Sequence, residues 1–218
     1  MPSVVVVGAS RGIGREFVRQ YVADGWQVFA TVRAADGALG AGVTELIANV
    51  IDEASLTAAA ATLPGGIDLL ILNAGVGARE GAVADIDAAA WAHVMAVNGL
   101  GPLLAARAFG GKVRDGGTIA ALSSTLGSIG ANTGGSLYTY RMSKAALNAG
   151  LKTLAIELKR RRITVAALHP GWVKTDMGGA GAEVEVGDSV TGLRHVIAGL
   201  TPEQTGVFLD YRGNALPW

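Results

Sequence analysis

The sequence of 218 residues contains no cysteine and carries no net charge. Without cysteine the chain has neither disulfides nor thiolate metal sites, which fits a reducing compartment. Because the 18 basic residues balance the 18 acidic ones, no uniform field attracts nucleic acid or an anionic membrane. Any anion that binds must therefore be held by a few local groups.

Long hydrophobic runs are also missing, since no apolar run approaches the roughly 20 residues that a membrane-spanning helix needs. The first residues, MPSVVVVGAS, lack the basic start and the longer apolar stretch of a signal peptide. Half of the residues are apolar and 17% are charged, so most of the chain should be packed. We expect a cytoplasmic protein that folds as one domain over residues 1–218, with no membrane or nucleic-acid partner.

Short apolar runs alternate along the chain with longer alanine-rich segments of helical character. The predicted strands are residues 3–7, 27–32, 44–48, 67–72, 117–122, 163–168 and 206–210. The predicted helices lie near 12–24, 53–62, 85–110, 138–160 and 188–199. Continuously apolar strands that alternate with helices indicate an α/β fold, a doubly wound parallel sheet of about seven strands and of the Rossmann type. A glycine-rich loop near 176–190 is predicted to be either a flap over the substrate or a solvated loop.

The first predicted strand leads into a glycine-rich turn. The stretch VVVVGASRGIG places Gly8, Gly12 and Gly14 between that strand and the first helix. Glycine permits a positive φ and a close approach of the backbone to a ligand, and the N–H groups of a helix start attract an anion. The spacing, G-x3-G-x-G, differs from the more widespread G-x-G-x-x-G. In an α/β pattern this turn predicts a site for the pyrophosphate of a dinucleotide.

The end of the second strand bears on which dinucleotide binds. NAD-specific folds place an acid there against the ribose 2′-hydroxyl, whereas this sequence has Arg33 at that place or one beyond it. A guanidinium can grip a 2′-phosphate with two hydrogen bonds, and Arg11 in the glycine turn could reach the same group. The alternative is that both arginines are simply solvated, and Asp36 nearby is a reservation. We predict a preference for NADP(H) over NAD(H).

One tyrosine and one lysine of the stretch YTYRMSK are neighbours on the predicted helix. Residues four apart lie on one face of a helix, which pairs Tyr140 with Lys144 and points Tyr138 elsewhere. A free phenol has a pKa of about 10, and an adjacent ammonium would lower it and make a usable acid or base. The same spacing also occurs on ordinary helices, so the pair alone is weak evidence.

Six motifs together resemble the classical short-chain dehydrogenase/reductase family over essentially the whole chain. Tyr140-x-x-x-Lys144 resembles its catalytic signature, and the glycine turn resembles its cofactor motif. LNAG at 72–75 resembles the family's N-N-A-G element, and HPGWVKTDM resembles its nicotinamide-side segment. VMAVNGLGPLLAARAF and ALSSTLG resemble the elements that carry the family's catalytic asparagine and serine, which fall on Asn98 and Ser124, a better match than Ser123. LGSIGANTGGSLYTYRMSKAALN, LHPGWVKTDMGG and YRGNALPW are most similar to the carbonyl reductase branch of sniffer and the C-signal proteins.

The resemblance implies an NADPH-dependent reduction of an aldehyde, ketone or quinone to an alcohol, with Tyr140 as the proton donor. The implied catalytic residues are Asn98, Ser124, Tyr140 and Lys144. The implied coenzyme-binding residues are Gly8, Ser10, Arg11, Gly12, Ile13, Gly14, Arg33, Asn49, Val50, Asn73, Ala74, Gly75, Tyr140, Lys144, Pro170, Gly171, Val173 and Thr175. Lys144 would lower the pKa of the phenol and bind the nicotinamide ribose, and Asn98 would fix a water that links Lys144 to solvent. No metal is implied.

Two other functions stay open, an alcohol dehydrogenase that works oxidatively and a cofactor-binding signalling or regulatory protein of the C-signal type. The resemblance also implies a homodimer or homotetramer that pairs through the helices near 85–110 and 138–160. Trp218 could close a pocket or pack against a second subunit.

The sequence departs from the family pattern in three places. Leu72 replaces the first asparagine of N-N-A-G, and Asn49 stands where an aspartate usually faces the adenine amino group. An amide oxygen can still accept that hydrogen bond. The third departure is a longer glycine-rich stretch between Ser124 and Tyr140, which is predicted to form a lip of the substrate site.

Overall fold

Seven strands form one parallel sheet in the computed structural model, which describes every residue except 35, 36 and 38. The strands are β1 (Ser3–Val7), β2 (Gln27–Val32), β3 (Val43–Ile47), β4 (Ile67–Leu72), β5 (Val113–Leu122), β6 (Thr164–His169) and β7 (Val207–Asp210). Their order across the sheet is β3-β2-β1-β4-β5-β6-β7, and every neighbouring pair is parallel. The predicted doubly wound sheet of the Rossmann type is confirmed.

Helices cover both faces of this sheet. They are α1 (Gly12–Ala23), α2 (Glu53–Ala61), α3 (Ala88–Val94), α4 (Gly101–Phe109), α5 (Tyr138–Glu157) and α6 (Val186–Gly199). One core cluster packs α2, α4 and α5 on the sheet, and a second packs α1 and α6 on the other face. The run of valines in β1 is continuous because both faces of this strand are buried. Val5 and Val7 pack in the first cluster, and Val4 and Val6 pack in the second.

Two boundaries differ from the predictions. β5 begins at Val113, ahead of the predicted start at 117. Val113 already pairs with Ile67 of β4, and the register then shifts before Thr118, around Gly116 with its positive φ of 74°. The predicted loop at 176–190 is shorter, since α6 already begins at Val186. Asp188 lies in the first turn of α6, where a negative charge is favourable near the positive end of the helix dipole.

The helical segment Ala88–Lys112 joins α3 and α4 through a π-helical turn at Met95–Leu100. By length and composition alone this segment could cross a membrane. One face of the segment packs in the core, where Leu104 and Phe109 are buried in the cluster that α4 shares with α2 and α5. Because core helices meet the same criterion, the segment is weak evidence for a membrane span.

The strand order places a crevice beside β1. β2 lies on one side of β1 and β4 on the other, so the connections that leave the carboxyl ends of β1 and β4 diverge. Such a switch point is where ligands bind in open α/β sheets. The glycine turn follows β1, and the segment Asn73–Gly75 follows β4, so both border this crevice.

Candidate active site

A cleft of about 580 Å³ opens at the carboxyl edge of the sheet. The predicted coenzyme-binding residues that line it are Gly8, Ser10, Arg11, Gly12, Ile13, Arg33, Asn49, Val50, Asn73, Ala74, Gly75, Tyr140, Lys144, Pro170 and Thr175. Within the described ranges 1–34, 37 and 39–218, Gly14, Asn98, Ser124, Gly171 and Val173 stand outside this lining. The structure therefore brings most of the predicted site together. Ser124 lies behind this lining beside Tyr140, and the other four residues shape the walls of the cleft.

The glycine turn at one end of the cleft has no room for side chains. Gly8 has a φ of 84°, and a Cβ atom there would lie 2.8 Å from Ala74. A Cβ atom on Gly14 would lie 2.2 Å from the carbonyl oxygen of Gly8 and 2.5 Å from Nδ2 of Asn73. Gly14 is thus required for packing α1 against the turn, which is why it does not line the cleft.

The start of α1 fits an anion. Arg11 is the N-cap of α1, and its side chain makes no capping hydrogen bond to the first N–H groups of this helix. These N–H groups, with the positive end of the helix dipole, face the cleft beside Ser10 and Gly12. The close-packed glycines leave space for a pyrophosphate there, so the residues present fit a dinucleotide.

The segment after β4 ties the two sides of the crevice together. Nδ2 of Asn73 donates a hydrogen bond to the Gly8 carbonyl oxygen at 2.6 Å. The backbone N–H groups of Asn73 and Ala74 both donate to the Val7 carbonyl oxygen, at 3.1 and 3.0 Å. These bonds reach Val7, the last residue of β1, and Gly8 in the glycine turn, which explains how the N-A-G part of the motif supports that turn. Leu72 is buried in β4, so an asparagine is not needed at that position.

Tyr140 lies in the first turn of α5, lines the cleft and shares a side-chain hydrogen bond with Ser124. Ser124 is buried, and its Oγ also accepts a hydrogen bond from the Leu126 N–H at 3.1 Å. Ser123 lines the cleft, but its hydroxyl donates to Oδ1 of Asn148 at 2.6 Å. Ser124 is therefore the serine that accompanies Tyr140, as the motif implied.

Burial raises the pKa of Tyr140 to about 12, while the hydrogen bond with Ser124 acts in the lowering direction. The sequence led us to expect a pKa lowered by Lys144, and the structure shows the opposite direction. Nζ of Lys144 lies 5.8 Å from the centroid of the Tyr140 ring, so the two side chains are neighbours as predicted. At neutral pH the phenol is protonated, which is the state of a proton donor.

Lys144 is almost completely buried, with 4% of its surface exposed. Its Nζ donates a hydrogen bond to the carbonyl oxygen of Leu122, the last residue of β5, at 2.7 Å. Burial lowers the pKa of Lys144 from its ordinary value of 10.5 to about 8, because the charged form loses its hydration. The ammonium therefore keeps its proton at pH 7 but is poised near the physiological range.

Asn98 lies in the π-helical turn and is completely buried. Its Nδ2 donates to the Val76 carbonyl oxygen and its Oδ1 accepts from the Val76 N–H, both at 2.8 Å. Nδ2 also donates to Oγ of Ser143 at 3.1 Å. A Cβ atom on Gly75 would lie 3.3 Å from Oδ1 of Asn98 and 3.8 Å from Nζ of Lys144. Asn98 therefore holds the loop after β4 beside Lys144, and the π-helical turn directs it there.

The arginines at the predicted phosphate end take different positions. Arg33 directly follows β2, is exposed and lines the cleft. Nη1 of Arg11 donates to Oδ2 of Asp176 at 2.7 Å, which joins the glycine turn to the segment after β6. Both partners are exposed, so this ion pair contributes little to stability and can be exchanged for a phosphate. Asp36 lies outside the described residues.

The residues that follow β3 form the part of the cleft where the adenine of the coenzyme is predicted to bind. Oδ1 of Asn49 accepts a hydrogen bond from the Ile51 N–H at 3.3 Å. A carbonyl oxygen has a second lone pair, so Asn49 can still accept from an adenine amino group. Val50 is buried, and a Cβ atom on Gly101 would lie 3.1 Å from its Cγ2, which fixes this wall of the cleft against α4.

The segment after β6 closes the opposite side of the cleft. Gly171 has a φ of 87°, and Val173 is buried and pairs with Val184. These two residues shape the segment, whereas Pro170 and Thr175 line the cleft. A Cβ atom on Gly12 would lie 3.4 Å from Cγ2 of Thr175, so this segment lies directly over the glycine turn.

Comparison with known proteins agrees with this geometry. The profile of the family described as short chain dehydrogenase matches residues 2–185. The chain belongs to the short-chain dehydrogenase family. Its members are oxidoreductases, so the protein is an oxidoreductase of this family, of the branch that holds sniffer and C-signal.

Three relatives of this short-chain dehydrogenase are informative. C-signal of Myxococcus xanthus is 44% identical over 156 residues, which are 71% of this chain and 94% of that protein. The carbonyl reductase Sniffer of D. melanogaster superposes with a TM-score of 0.93 at 29% identity, over 100% of both chains. An NADPH-bound carbonyl reductase from chicken fatty liver gives a TM-score of 0.91 at 33% identity, over 100% of this chain and 99% of that one.

Sequence reasoning missed several residues that shape the site of this short-chain dehydrogenase. Oγ1 of Thr31 accepts a hydrogen bond from the Gly8 N–H at 2.9 Å, and His93, Asp176 and Met177 line the cleft. Thr31 lies within an otherwise apolar strand, which is a weak signal for a polar role. Asp176 and Met177 directly follow Thr175 in the HPGWVKTDM segment, where no residue type singled them out, and His93 comes from α3, far from them in the chain.

Proposed function

We propose that this protein is an NADPH-dependent reductase that converts the carbonyl group of an aldehyde, ketone or quinone into an alcohol. The observation that carries the proposal is that Tyr140 lines a cleft whose other end is the glycine turn, with Nζ of Lys144 5.8 Å from its ring and Ser124 interacting with its hydroxyl. A nicotinamide coenzyme supplies the hydride when it is bound. The protein's own residues then have to hold the carbonyl oxygen and deliver a proton to it.

Ser124 and Tyr140 are suited to those two tasks. Oγ of Ser124 accepts a hydrogen bond from the Leu126 N–H, which orients the hydroxyl. When a carbonyl substrate is bound, the Ser124 proton can turn from the Tyr140 oxygen to the carbonyl oxygen. Two donors that converge on one oxygen stabilise the negative charge that develops there. Tyr140 then transfers its proton to the same oxygen, because an alkoxide is a far stronger base than a phenolate.

Tyr140 can serve either direction of the reaction. Burial raises its pKa to about 12, so the phenol is neutral and can donate at neutral pH. The same oxygen would take up the proton if an alcohol were oxidised. We place the oxidative function second because the similar solved structures of Sniffer and of the chicken fatty liver protein are carbonyl reductases.

Lys144 and Asn98 support the proton donor in this proposal. Nζ of Lys144 has three donor hydrogens, and one of them binds the Leu122 carbonyl oxygen. The other two can bind the ribose hydroxyls of a coenzyme in the cleft. Asn98 fixes the loop at Val76 through two hydrogen bonds, which keeps the wall beside Lys144 rigid.

Arg33 carries the coenzyme preference in this proposal. The carbonyl reductase from chicken fatty liver was solved with NADPH, which supports the same coenzyme here. We expect Arg33→Asp to lower the ratio of kcat/KM for NADPH to kcat/KM for NADH by roughly tenfold to a hundredfold, since a hydrogen bond to a charged group is lost and replaced by repulsion. Steady-state kinetics with both coenzymes measures the ratio. Arg160→Asp, an exposed arginine outside the cleft lining, should leave it unchanged, and an equal ratio in both variants would remove Arg33 from the specificity argument.

A signalling role of the C-signal type is the second candidate, because C-signal of Myxococcus xanthus is 44% identical to this chain. A protein that only binds its coenzyme has no use for Ser124 beside Tyr140, so the paired hydroxyls favour catalysis. A dual role is compatible with both observations.

The reductase proposal predicts that the purified protein oxidises NADPH when a suitable carbonyl compound is present. A panel of aliphatic and aromatic aldehydes, ketones and quinones, followed by absorbance at the reduced nicotinamide band, measures this. Turnover of at least one class is expected, and the same panel of alcohols with NADP⁺ tests the oxidative alternative. Coenzyme binding without turnover in either direction would favour the signalling candidate.

We also propose a homodimer or homotetramer that pairs through Ala88–Lys112 and α5, and a cytoplasmic location. Leu100 in the segment Ala88–Lys112 and Ile156 on α5 are large apolar side chains that are 52% and 69% exposed. These two side chains supply apolar surface on both helices that a subunit interface would bury.

A further inference from the structure

The last residues of the chain fold back onto β7 and anchor Trp218. The Leu216 N–H donates to the carbonyl oxygen of Phe208 at 2.9 Å. The Trp218 ring lies 5.4 Å from the ring of Phe208, which is buried, and Nζ of Lys152 lies 5.7 Å from the Trp218 ring centroid. Trp218 is therefore held within its own chain by an aromatic contact and a cation.

The backbone of Trp218 binds the segment between Ser124 and Tyr140. We call residues 128–137 the lip. The carbonyl oxygen of Trp218 accepts hydrogen bonds from the Gly130 N–H and from Oγ of Ser128, both at 3.2 Å. Oγ of Ser128 in turn accepts from the Ala131 N–H at 3.0 Å, and Ser128 is buried. One end of the lip is therefore fastened to the C-terminal segment rather than to the sheet.

The turn that carries Ser124 is fixed independently of Trp218. The Gly127 N–H donates to the Ser124 carbonyl oxygen at 2.8 Å. A Cβ atom on Gly127 would lie 2.8 Å from the backbone of Lys144, so this turn is packed tightly on α5. Loss of the Trp218 anchor would free the lip beyond Gly127 and leave Ser124 in place.

The other end of the lip is held under strain. Ser136 and Leu137 have φ values of 55° and 52°, a region that residues with side chains seldom adopt. The Leu137 N–H donates to the Glu80 carbonyl oxygen at 2.8 Å, and Nε of Arg141 donates to the Ser136 carbonyl oxygen at 3.0 Å. The lip is therefore a strap between two anchors, one at Trp218 and one at the start of α5.

We infer that Trp218 is a positioning residue for substrate binding. Its carbonyl oxygen and its ring hold the lip, and the lip connects the turn after Ser124 to the start of α5 just before Tyr140, so we place it at the border of the carbonyl substrate. This inference rests on the proposed function. It assigns the C-terminal residues to substrate affinity and leaves the chemical step to Ser124, Tyr140 and Lys144.

Trp218→Ala removes the ring that anchors this carbonyl oxygen. We expect KM for the carbonyl substrate to rise roughly tenfold while kcat changes by less than about threefold, because a loosened lip weakens binding without moving the reacting groups. Trp218→Phe keeps an aromatic contact with Phe208 and should restore KM to within about threefold of the wild type. Trp26→Ala is the matched control, since Trp26 packs on Tyr21 in the core cluster of α1 and α6, on the face of the sheet opposite α5. If Trp218 only stabilised the fold, Trp218→Ala would lower the fraction of active protein, and hence the apparent kcat, and would leave KM unchanged.

Hydrogen exchange gives a readout that does not depend on activity. The amides of Gly130 and Ala131 are bonded to Trp218 and Ser128, so they should be protected in the wild type and in Trp26→Ala. In Trp218→Ala we expect both amides to exchange at least about tenfold faster, with the α5 amides unchanged. Equal exchange in wild type and Trp218→Ala would overturn the inference.

The two proposals fail in different ways. If no carbonyl compound is reduced, the proposed function fails, and the exchange experiment still decides whether Trp218 holds the lip. If turnover is found and Trp218→Ala leaves KM unchanged, the inference is wrong and the reductase proposal stands.

Discussion

Tyr140→Phe is expected to lower kcat for carbonyl reduction by about 10²- to 10⁴-fold, the range for loss of a general acid. The substitution removes one hydroxyl group, which donates the proton and shares a hydrogen bond with Ser124. The ring keeps its place at the cleft, so the dissociation constant for NADPH should change by less than roughly threefold. Steady-state kinetics and a fluorescence titration of NADPH measure the two quantities.

Tyr138→Phe is the matched control for this experiment. Tyr138 begins α5 two residues earlier, is 39% exposed and is not among the residues that line the cleft. Its loss of a hydroxyl should leave kcat within about twofold of the wild type, as is usual for a surface substitution. Turnover at the wild-type level in Tyr140→Phe, or an equal loss in both variants, would show that the proton comes from elsewhere.

Lys144→Met is expected to lower kcat by at least roughly a hundredfold, because it removes the cation next to the proton donor. Methionine has a similar length and no charge, so the packing around position 144 is largely kept. Lys112→Met is the control, since Nζ of Lys112 also donates to a backbone carbonyl oxygen, that of Leu63, at 2.9 Å and away from the cleft. A common loss of kcat in both variants would point to damaged folding rather than to the active site.

Lys144→Met also tests whether the charge of Lys144 is buried, through the pH dependence of the free energy of unfolding. Burial lowers the folded-state pKa of Lys144 to about 8, whereas the unfolded chain keeps a value near 10.5. Between these values the unfolded state binds more protons, so the contribution of Lys144 to the free energy of unfolding rises with pH across that window. The full rise is on the order of 3 kcal/mol.

Urea unfolding at pH 7 and at pH 10 measures this contribution. Lys144→Met lacks the group, so its free energy of unfolding, relative to the wild type, should be more favourable at pH 7 than at pH 10. The carbonyl oxygen of Leu122 loses a donor in the variant at both pH values, and this cost cancels in the comparison. Parallel pH dependences in the two proteins would mean that Lys144 is not desolvated as the structure indicates.

The sequence allowed the architecture to be predicted because its strands are buried on both faces. The run SVVVV at Ser3–Val7 does not alternate with polar residues because both faces of the strand are buried. This pattern is typical of a parallel sheet that helices cover on each side. The proximity of Tyr140 and Lys144 was predictable because the two residues are four apart on one helix, so a local spacing fixes their contact. The choice of Ser124 over Ser123 rested on the resemblance, and the hydrogen bond with Tyr140 agrees with it.

Other features depend on contacts between distant segments, which no spacing reveals. The ion pair between Arg11 and Asp176 joins residues that are 165 positions apart. The pKa of Tyr140 depends on how completely it is buried, and the predicted lowering by Lys144 ignored that cost. The anchor of the lip by Trp218 depends on the backbone of the C-terminal residue, which has no signature in the sequence.

The central claim is that one cleft brings a nicotinamide coenzyme and the Tyr140 proton donor to the same carbonyl group. It is tested most directly with NADPH carrying deuterium at either face of C4, with the best substrate from the panel. Mass spectrometry and NMR of the product alcohol then locate the label. The account predicts that one of the two labelled coenzymes places a single deuterium on the former carbonyl carbon, at a rate that Tyr140→Phe lowers by about 10²- to 10⁴-fold. Deuterium on that carbon from neither coenzyme would contradict it.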